Sequence, residues 1–198
     1  MDILLVSGFL GAGKTTAIAK LADCLTARGR RVCVVENEAG QFGVDDLVLD
    51  GSPVRITSLS GGCVCCQLTG ELIDALRTIR REYDPNQVIV ELSGLAYPAA
   101  LPGQIAQWLG PDCPVTILAV ADGARWKVLS HAAAPLLANQ LRDSRAQLLS
   151  KLEQCEDPDR LRAEVEALCR TPNSFPFQAD GPLPEELLAL LWPGEEWA

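Results

Sequence analysis

Residues 6–16, VSGFLGAGKTT, have the composition of a loop that holds phosphates. Gly8, Phe9, Leu10, Gly11, Ala12, Gly13, Lys14 and Thr15 fit the pattern GxxxxGK[ST]. Glycines let the backbone curl until several N–H groups face one anion, and a following helix adds its positive end. Lys14 is expected to reach the β- and γ-phosphates. Thr15 is expected to offer its hydroxyl to Mg²⁺, which prefers oxygen ligands, and Thr16 to touch the α-phosphate. The plain alternative, a glycine-rich strand-to-helix turn, shares the pattern without the chemistry.

Two further stretches could sense the nucleotide. Glu91, at the end of the apolar run VIV and followed by Leu92, Ser93 and Gly94, could hold a Mg²⁺-bound water or orient the attacking one. Gly94 could offer its backbone N–H to the γ-phosphate. The glycine-containing acidic segment VENEAGQFGVDD (35–46) could bring Asp45 to the metal and γ-phosphate on closing, or be a solvated loop. A third chemistry comes from Cys63, Cys65 and Cys66 in GGCVCC (61–66). Thiolates suit Zn²⁺ and other borderline divalent ions, but three from one loop do not complete a tetrahedral site. Glu36 or Glu38 is a candidate fourth ligand. Packed or redox-active thiols are the alternative, since the spacing matches no standard structural zinc knuckle, which normally uses CxxC pairs.

The elements that must position these groups follow from the apolar pattern. Strands are expected at 2–7, 31–37, 54–59, 87–93, 114–122, 146–151 and 174–178, and helices at 14–28, 67–83, 158–170 and 184–192. The Pro/Gly-rich patches at 98–114 and 172–184 read as loops. Strands alternating with helices imply βαβ units in an α/β fold, a mostly parallel sheet with helices on both faces, and ligands at the carboxyl ends of the strands. With 198 residues, one domain over 1–198 is expected. A net charge of −9 argues against general nucleic-acid or anionic-membrane partners. The opening MDILLVSG enters a strand-like run directly, and no apolar run spans a bilayer, so a cytoplasmic protein is expected. Cys24, Cys33, Cys113, Cys155 and Cys169 read as small buried hydrophobes or incidental thiols.

Taken together, GFLGAGKTT, ENEAGQFGVD, GGCVCC and ELSGLAYP resemble the CobW-like family of P-loop GTPases, whose relatives include the UreG and HypB types. The pieces occur in family order over roughly residues 1–155. The resemblance implies a P-loop NTPase three-layer sandwich and a slow GTP-hydrolysing metallochaperone using GTP/GDP and Mg²⁺. It also implies Zn²⁺ or Co²⁺ at the cysteine motif for delivery to a client metalloprotein. An accessory NTPase for a corrinoid or other metal-cofactor system, or a nucleotide-binding module acting through partner binding, are the other readings. A homodimer would be compatible with any of them.

Three departures from the family pattern matter. The guanine motif NKxD corresponds to Ser150, Lys151, Leu152 and Glu153. Lys151 can lay its stem along a base, and Glu153 can accept two hydrogen bonds as Asp would, one methylene further out. Ser150 lacks the reach of Asn, so ATP use is not excluded, although GTP is favoured. Gln41 stands where many relatives carry an acidic residue. Larger members carry a histidine-rich C-terminal domain; here no such domain is expected, and His131 is the single histidine, expected at the surface.

Overall fold

Short apolar runs become strands here because both sides of the sheet are covered, so neither side chain orientation has to be polar. The computed structural model describes residues 1–36, 47–48, 54–58, 67–194 and 197, with 47–48, 54–58 and 67–69 described by their backbone alone. Among the described residues the strands are β1 (Asp2–Gly8), β2 (Val32–Glu36), β3 (Leu47–Val48), β4 (Val54–Ser58), β5 (Gln87–Glu91), β6 (Val115–Asp122), β7 (Ala146–Ser150) and β8 (Ser174–Phe177). They form one sheet in the order β3-β4-β2-β5-β1-β6-β7-β8. Every pairing is parallel except β3 with β4.

The period of two along each strand splits the core. In β1, Leu4 and Val6 face α1 (Lys14–Thr26) and α7 (Glu185–Leu191), which present Ile18, Leu21, Leu25, Leu187 and Leu188. Ile3 and Leu5 face the opposite layer, where α2 (Gln67–Tyr83) and α3 (Leu101–Leu109) bring Leu72, Leu76, Ile79 and Ile105. Beyond β1, α4 (Trp126–Ala132), α5 (Ala134–Leu141) and α6 (Pro158–Leu168) cover β6 and β7 with Trp126, Leu137, Leu141, Leu161 and Val165. The result is the expected α/β three-layer sandwich. Each fully buried leucine or isoleucine in it contributes about 1.5–3 kcal/mol.

Two local expectations change. The patch 98–114 is a helix over much of its length rather than a loop. Pro98 begins a 3₁₀ turn and Pro102 sits in the first turn of α3, where a missing N–H costs little. Ile105 and Leu109, one helical turn apart, are buried, and Gly110 ends the helix at φ 85°. Helices α4 and α5 are also additional; each is short and contributes one to three buried positions, too few for a visible period. β7 carries two buried polar residues, Gln147 and Ser150, within its apolar run. Gln147 Nε2 donates to Ser144 Oγ at 2.8 Å, so its burial is compensated. Cys33 and Cys113 are buried in the core as expected of small apolar side chains, and burial pushes the Cys169 thiol up to about 11. No described helix is long and apolar enough to cross a membrane.

Candidate functional site

The loop between β1 and α1 has a shape that its glycines alone permit. Gly8 takes φ 140°, and a Cβ there would lie 2.5 Å from the Val120 carbonyl oxygen. Gly11 and Gly13 take φ 73° and 98°, in the left-handed region that side chains disfavour. Between them the Ala12 N–H donates to the Phe9 carbonyl at 3.0 Å, which closes the turn. Gly13 then stands at the entry of α1, whose next residues are Lys14, Thr15 and Thr16.

The side chains at the loop converge on the end of β5. Lys14 is only 5% exposed; its Nζ donates to the Phe9 carbonyl at 3.2 Å and lies 3.7 Å from Glu91 Oε1. Thr15 Oγ1 donates to Glu91 Oε2 at 3.0 Å, while Thr16 is exposed beside it. Burial lowers the Lys14 pKa, the charge and hydrogen bond of Glu91 oppose that, and the charge of Arg125 adds to the lowering. A buried ammonium with one weakly placed carboxylate favours a further anion nearby. The hydroxyl of Thr15 and the carboxylate of Glu91 form an all-oxygen set that fits a hard divalent ion such as Mg²⁺.

Gly94 is pressed onto the same loop: a Cβ there would lie 2.7 Å from the Leu10 backbone nitrogen. Its carbonyl accepts from Gln140 Nε2 at 2.6 Å, and the Gln140 carbonyl in turn accepts from the Ser7 hydroxyl at 3.0 Å. Gln140 is 1% exposed and its Oε1 has no hydrogen-bond partner among the described residues. The segment after Glu91 is thus tied to both β1 and α5.

At the end of β7, Ser150 is buried, with its hydroxyl 2.7 Å from the Ala12 carbonyl and 3.1 Å from that of Ala121. Although shorter than Asn, this side chain reaches the phosphate loop because β7 ends directly behind it. Lys151, at φ 54°, sends Nζ to the Gly11 carbonyl at 2.6 Å and to Asp122 Oδ2 at 2.9 Å. Glu153 lies exposed on the 3₁₀ turn Leu152–Gln154, in contact with the neighbouring Gln154 amide at 3.0 Å. Lys151 is therefore brought to the loop, and Glu153 stands apart from it.

Glu36 closes β2 opposite Ser58 of β4, two strands from β1. Glu38, Asp45, Cys63, Cys65 and Cys66 lie outside the described residues, as does Gln41. Among the described residues, no group of three or more His, Cys, Asp or Glu side chains could hold a metal ion. His131 is exposed on α4, with Nδ1 2.7 Å from the Lys127 carbonyl.

Three residues at the loop escaped the sequence reading. Asp122 has a fully buried carboxylate that receives Lys151 and Arg125. Burial works to raise its pKa, but hydrogen bonds and charge from Lys151 and Arg125 outweigh that and hold it below the ordinary carboxylate value. Asp122 could have been noticed as the polar residue ending an apolar run at the carboxyl edge. Arg125 and Gln140 belong to no motif, and contacts between distant segments reveal them.

Comparison with known proteins accords with this geometry. The zinc chaperone CobW of Pseudomonas aeruginosa is 34% identical over 155 residues, a match spanning 72% of this chain and 40% of that protein. The zinc chaperone YjiA of Escherichia coli is 34% identical over 104 residues, spanning 50% of this chain and 32% of that protein. The chain thus matches well under half the length of these relatives. Zn(II)-bound YjiA GTPase from E. coli superposes with a TM-score of 0.61 at 20% identity, over 97% of this chain and 61% of that one. HypB from Helicobacter pylori in complex with nickel does so at 0.58 and 19%, over 91% and 80%. At such identities the two structures show a shared fold. Residues 2–177 match the nucleotide-binding domain of CobW, HypB and UreG, and the chain belongs to that family.

Proposed function

We propose that this chain binds and hydrolyses GTP at the loop 8–16, and couples the nucleotide state to the binding and delivery of a divalent transition metal. The observation that carries the reading is the meeting of Lys14, Thr15 and Glu91 beneath the loop, with Gly94 packed on the Leu10 N–H. Lys14 and the N-terminal end of α1 hold the phosphates electrostatically. Thr15 and Glu91 would hold Mg²⁺, which when bound neutralises charge on the phosphate oxygens. In hydrolysis a water oxygen bonds to the γ-phosphorus, the bond to the β–γ bridging oxygen breaks, and GDP, inorganic phosphate and a proton are released. In this reading Glu91 orients that water through its carboxylate, and the Gly94 N–H reads the γ-phosphate. Lys151 supports the base, and Glu153 accepts from guanine, which favours GTP over ATP. Slow intrinsic turnover is part of this reading, in which Glu91 has to exchange its contacts with Lys14 and Thr15 before it orients water.

The metal half of the proposal rests on the thiols of Cys63, Cys65 and Cys66, with Glu36 or Glu38, and on the names of the relatives. Two are called zinc chaperones, and a fold neighbour was seen with nickel. Zinc is therefore the first cargo to test, and cobalt the second. Glu36 ends β2 and Ser58 ends β4, and the two strands are neighbours in the sheet. A client metalloprotein would receive the ion.

The deciding experiment is metal titration of the reduced protein against a competing chelator, with GDP and with a non-hydrolysable GTP analogue. A tenfold difference in affinity corresponds to about 1.4 kcal/mol of coupling and supports delivery. Equal affinity in both states sinks the coupling, and leaves an accessory NTPase or a partner-binding module. Cys65→Ser combined with Cys66→Ser should abolish tight zinc binding while leaving the melting temperature of the metal-free protein unchanged.

A further inference from the structure

We propose that Arg125 is a nucleotide-contacting residue: its guanidinium supplies, from within the chain, a second cation to the outer phosphates beside Lys14. The inference rests on the hydrolase reading of the loop and adds a residue that no motif contains.

Arg125 begins the turn into α4 and folds back over the phosphate loop. Its Nη2 donates to the Leu10 carbonyl, and its guanidinium lies 3.4 Å from where a Cβ on Gly11 would be. Three contacts with Asp122 hold it there: Nε to Oδ2 at 2.8 Å, Nη2 to Oδ2 at 2.7 Å, and the backbone N–H to Oδ1 at 3.3 Å. The Asp122 side chain is fully buried, whereas that of Arg125 is 45% exposed. The anchor is therefore buried, while the Arg125 side chain stays partly open to solvent.

Charge decides what such a cation is for. The carboxylate of Asp122 is also taken by Lys151 at 2.9 Å, so one anion faces two cations. Among the described residues around the loop, Lys14, Lys151 and Arg125 stand against Glu91 and Asp122, three positive charges to two negative. That surplus is felt at the phosphate-binding lysine, whose pKa the charge of Arg125 helps to lower. A residue needed only to brace the Leu10 carbonyl could be neutral. A guanidinium brings a planar fork that matches phosphate oxygens, and in phosphoryl transfer such a cation stabilises the charge developing on the transferred group. The Leu10–Gly11 backbone, over which it lies, belongs to the loop whose N–H groups cradle the phosphates in a GxxxxGK[ST] arrangement.

The test compares wild type with Arg125→Gln and Arg125→Lys. Four quantities are read: GTP turnover under saturating and limiting substrate, GDP affinity, affinity for GDP with aluminium fluoride, and melting temperature. In Arg125→Gln, kcat should fall on the order of 100-fold, with GDP affinity changed by less than about threefold. The gain in affinity that aluminium fluoride confers on GDP should disappear. Arg125→Lys should recover part of kcat, as a point charge without the fork. Unchanged kcat in Arg125→Gln overturns the inference. So does a parallel loss of GDP affinity, GTP affinity and melting temperature with kcat preserved, which would make Arg125 a brace for the loop. Failure of wild type to bind or hydrolyse any nucleoside triphosphate would instead sink the hydrolase reading, and this inference with it, before any variant is made.

Discussion

The phosphate end and the proposed base end of the site are built in different ways. At the phosphate end the backbone does much of the work: Gly8, Gly11 and Gly13 bend the loop, Gly94 touches it, and Lys14 is buried beneath. At the proposed base end a 3₁₀ turn presents Glu153 in the open, bonded among the described residues only to its neighbour Gln154. Ser150 and Lys151 join the two ends, since both bond to carbonyls of the phosphate loop. Recognition by buried charge and fixed backbone tolerates little change. Recognition by one exposed side chain, as proposed for Glu153, would be adjustable, and Ser150-Lys151-Leu152-Glu153 departs from NKxD at that end.

The sharpest way to break this comparison is Lys14→Ala. Loss of its charge-assisted contacts should weaken nucleotide binding by at least about 100-fold in a fluorescent-nucleotide titration. Normal affinity would overturn the assignment of the loop.

Gly94→Ala comes next, because the added methyl has only backbone to displace. Overpacking should cost about 1–3 kcal/mol in denaturant unfolding and weaken the GTP analogue more than GDP. An unaffected variant would show that Gly94 does not bear on the loop.

Asp122→Asn probes the link between the two ends. Its contacts with Arg125 and Lys151 lose the acceptor's charge, at a cost of about 1–3 kcal/mol near neutral pH. Since the folded pKa of Asp122 lies below the ordinary 3.8, its contribution is complete above that value and is lost as pH falls through the folded one. Acid titration of stability should therefore be shallower in Asp122→Asn than in wild type below pH 3.8. Identical acid profiles would remove Asp122 from the network.

The smallest effect is expected at the base. Glu153→Asp, which shortens the acceptor by one methylene, should raise the GTP-to-ATP affinity ratio by about two- to tenfold without changing stability. An unchanged ratio would place the guanine contact elsewhere.

Much of the fold was legible because its signals are local. Continuous apolar runs announce the buried parallel strands, and glycine spacing followed by Lys14 and Thr15 announces the loop and α1. The helix in 98–114 was hidden because Pro98, Pro102 and Gly103 read as breakers, although a proline in a first turn breaks nothing. The candidate site divides in the same way. Lys14, Thr15, Glu91 and Gly94 carry recognisable patterns along the chain. The pairing of Thr15 with Glu91 joins residues 76 positions apart, and that of Lys151 with Gly11 residues 140 apart.

What residue types and spacing settled for this protein is its α/β class, its phosphate loop and its family, since each depends on short-range order along the chain. Folding added the partners. Arg125 and Gln140 have no distinguishing neighbours in sequence, and Asp122 has only its place at the end of an apolar run. They matter because parallel strands end side by side at one edge of the sheet, where buried charges and carbonyls must find each other or go unpaired.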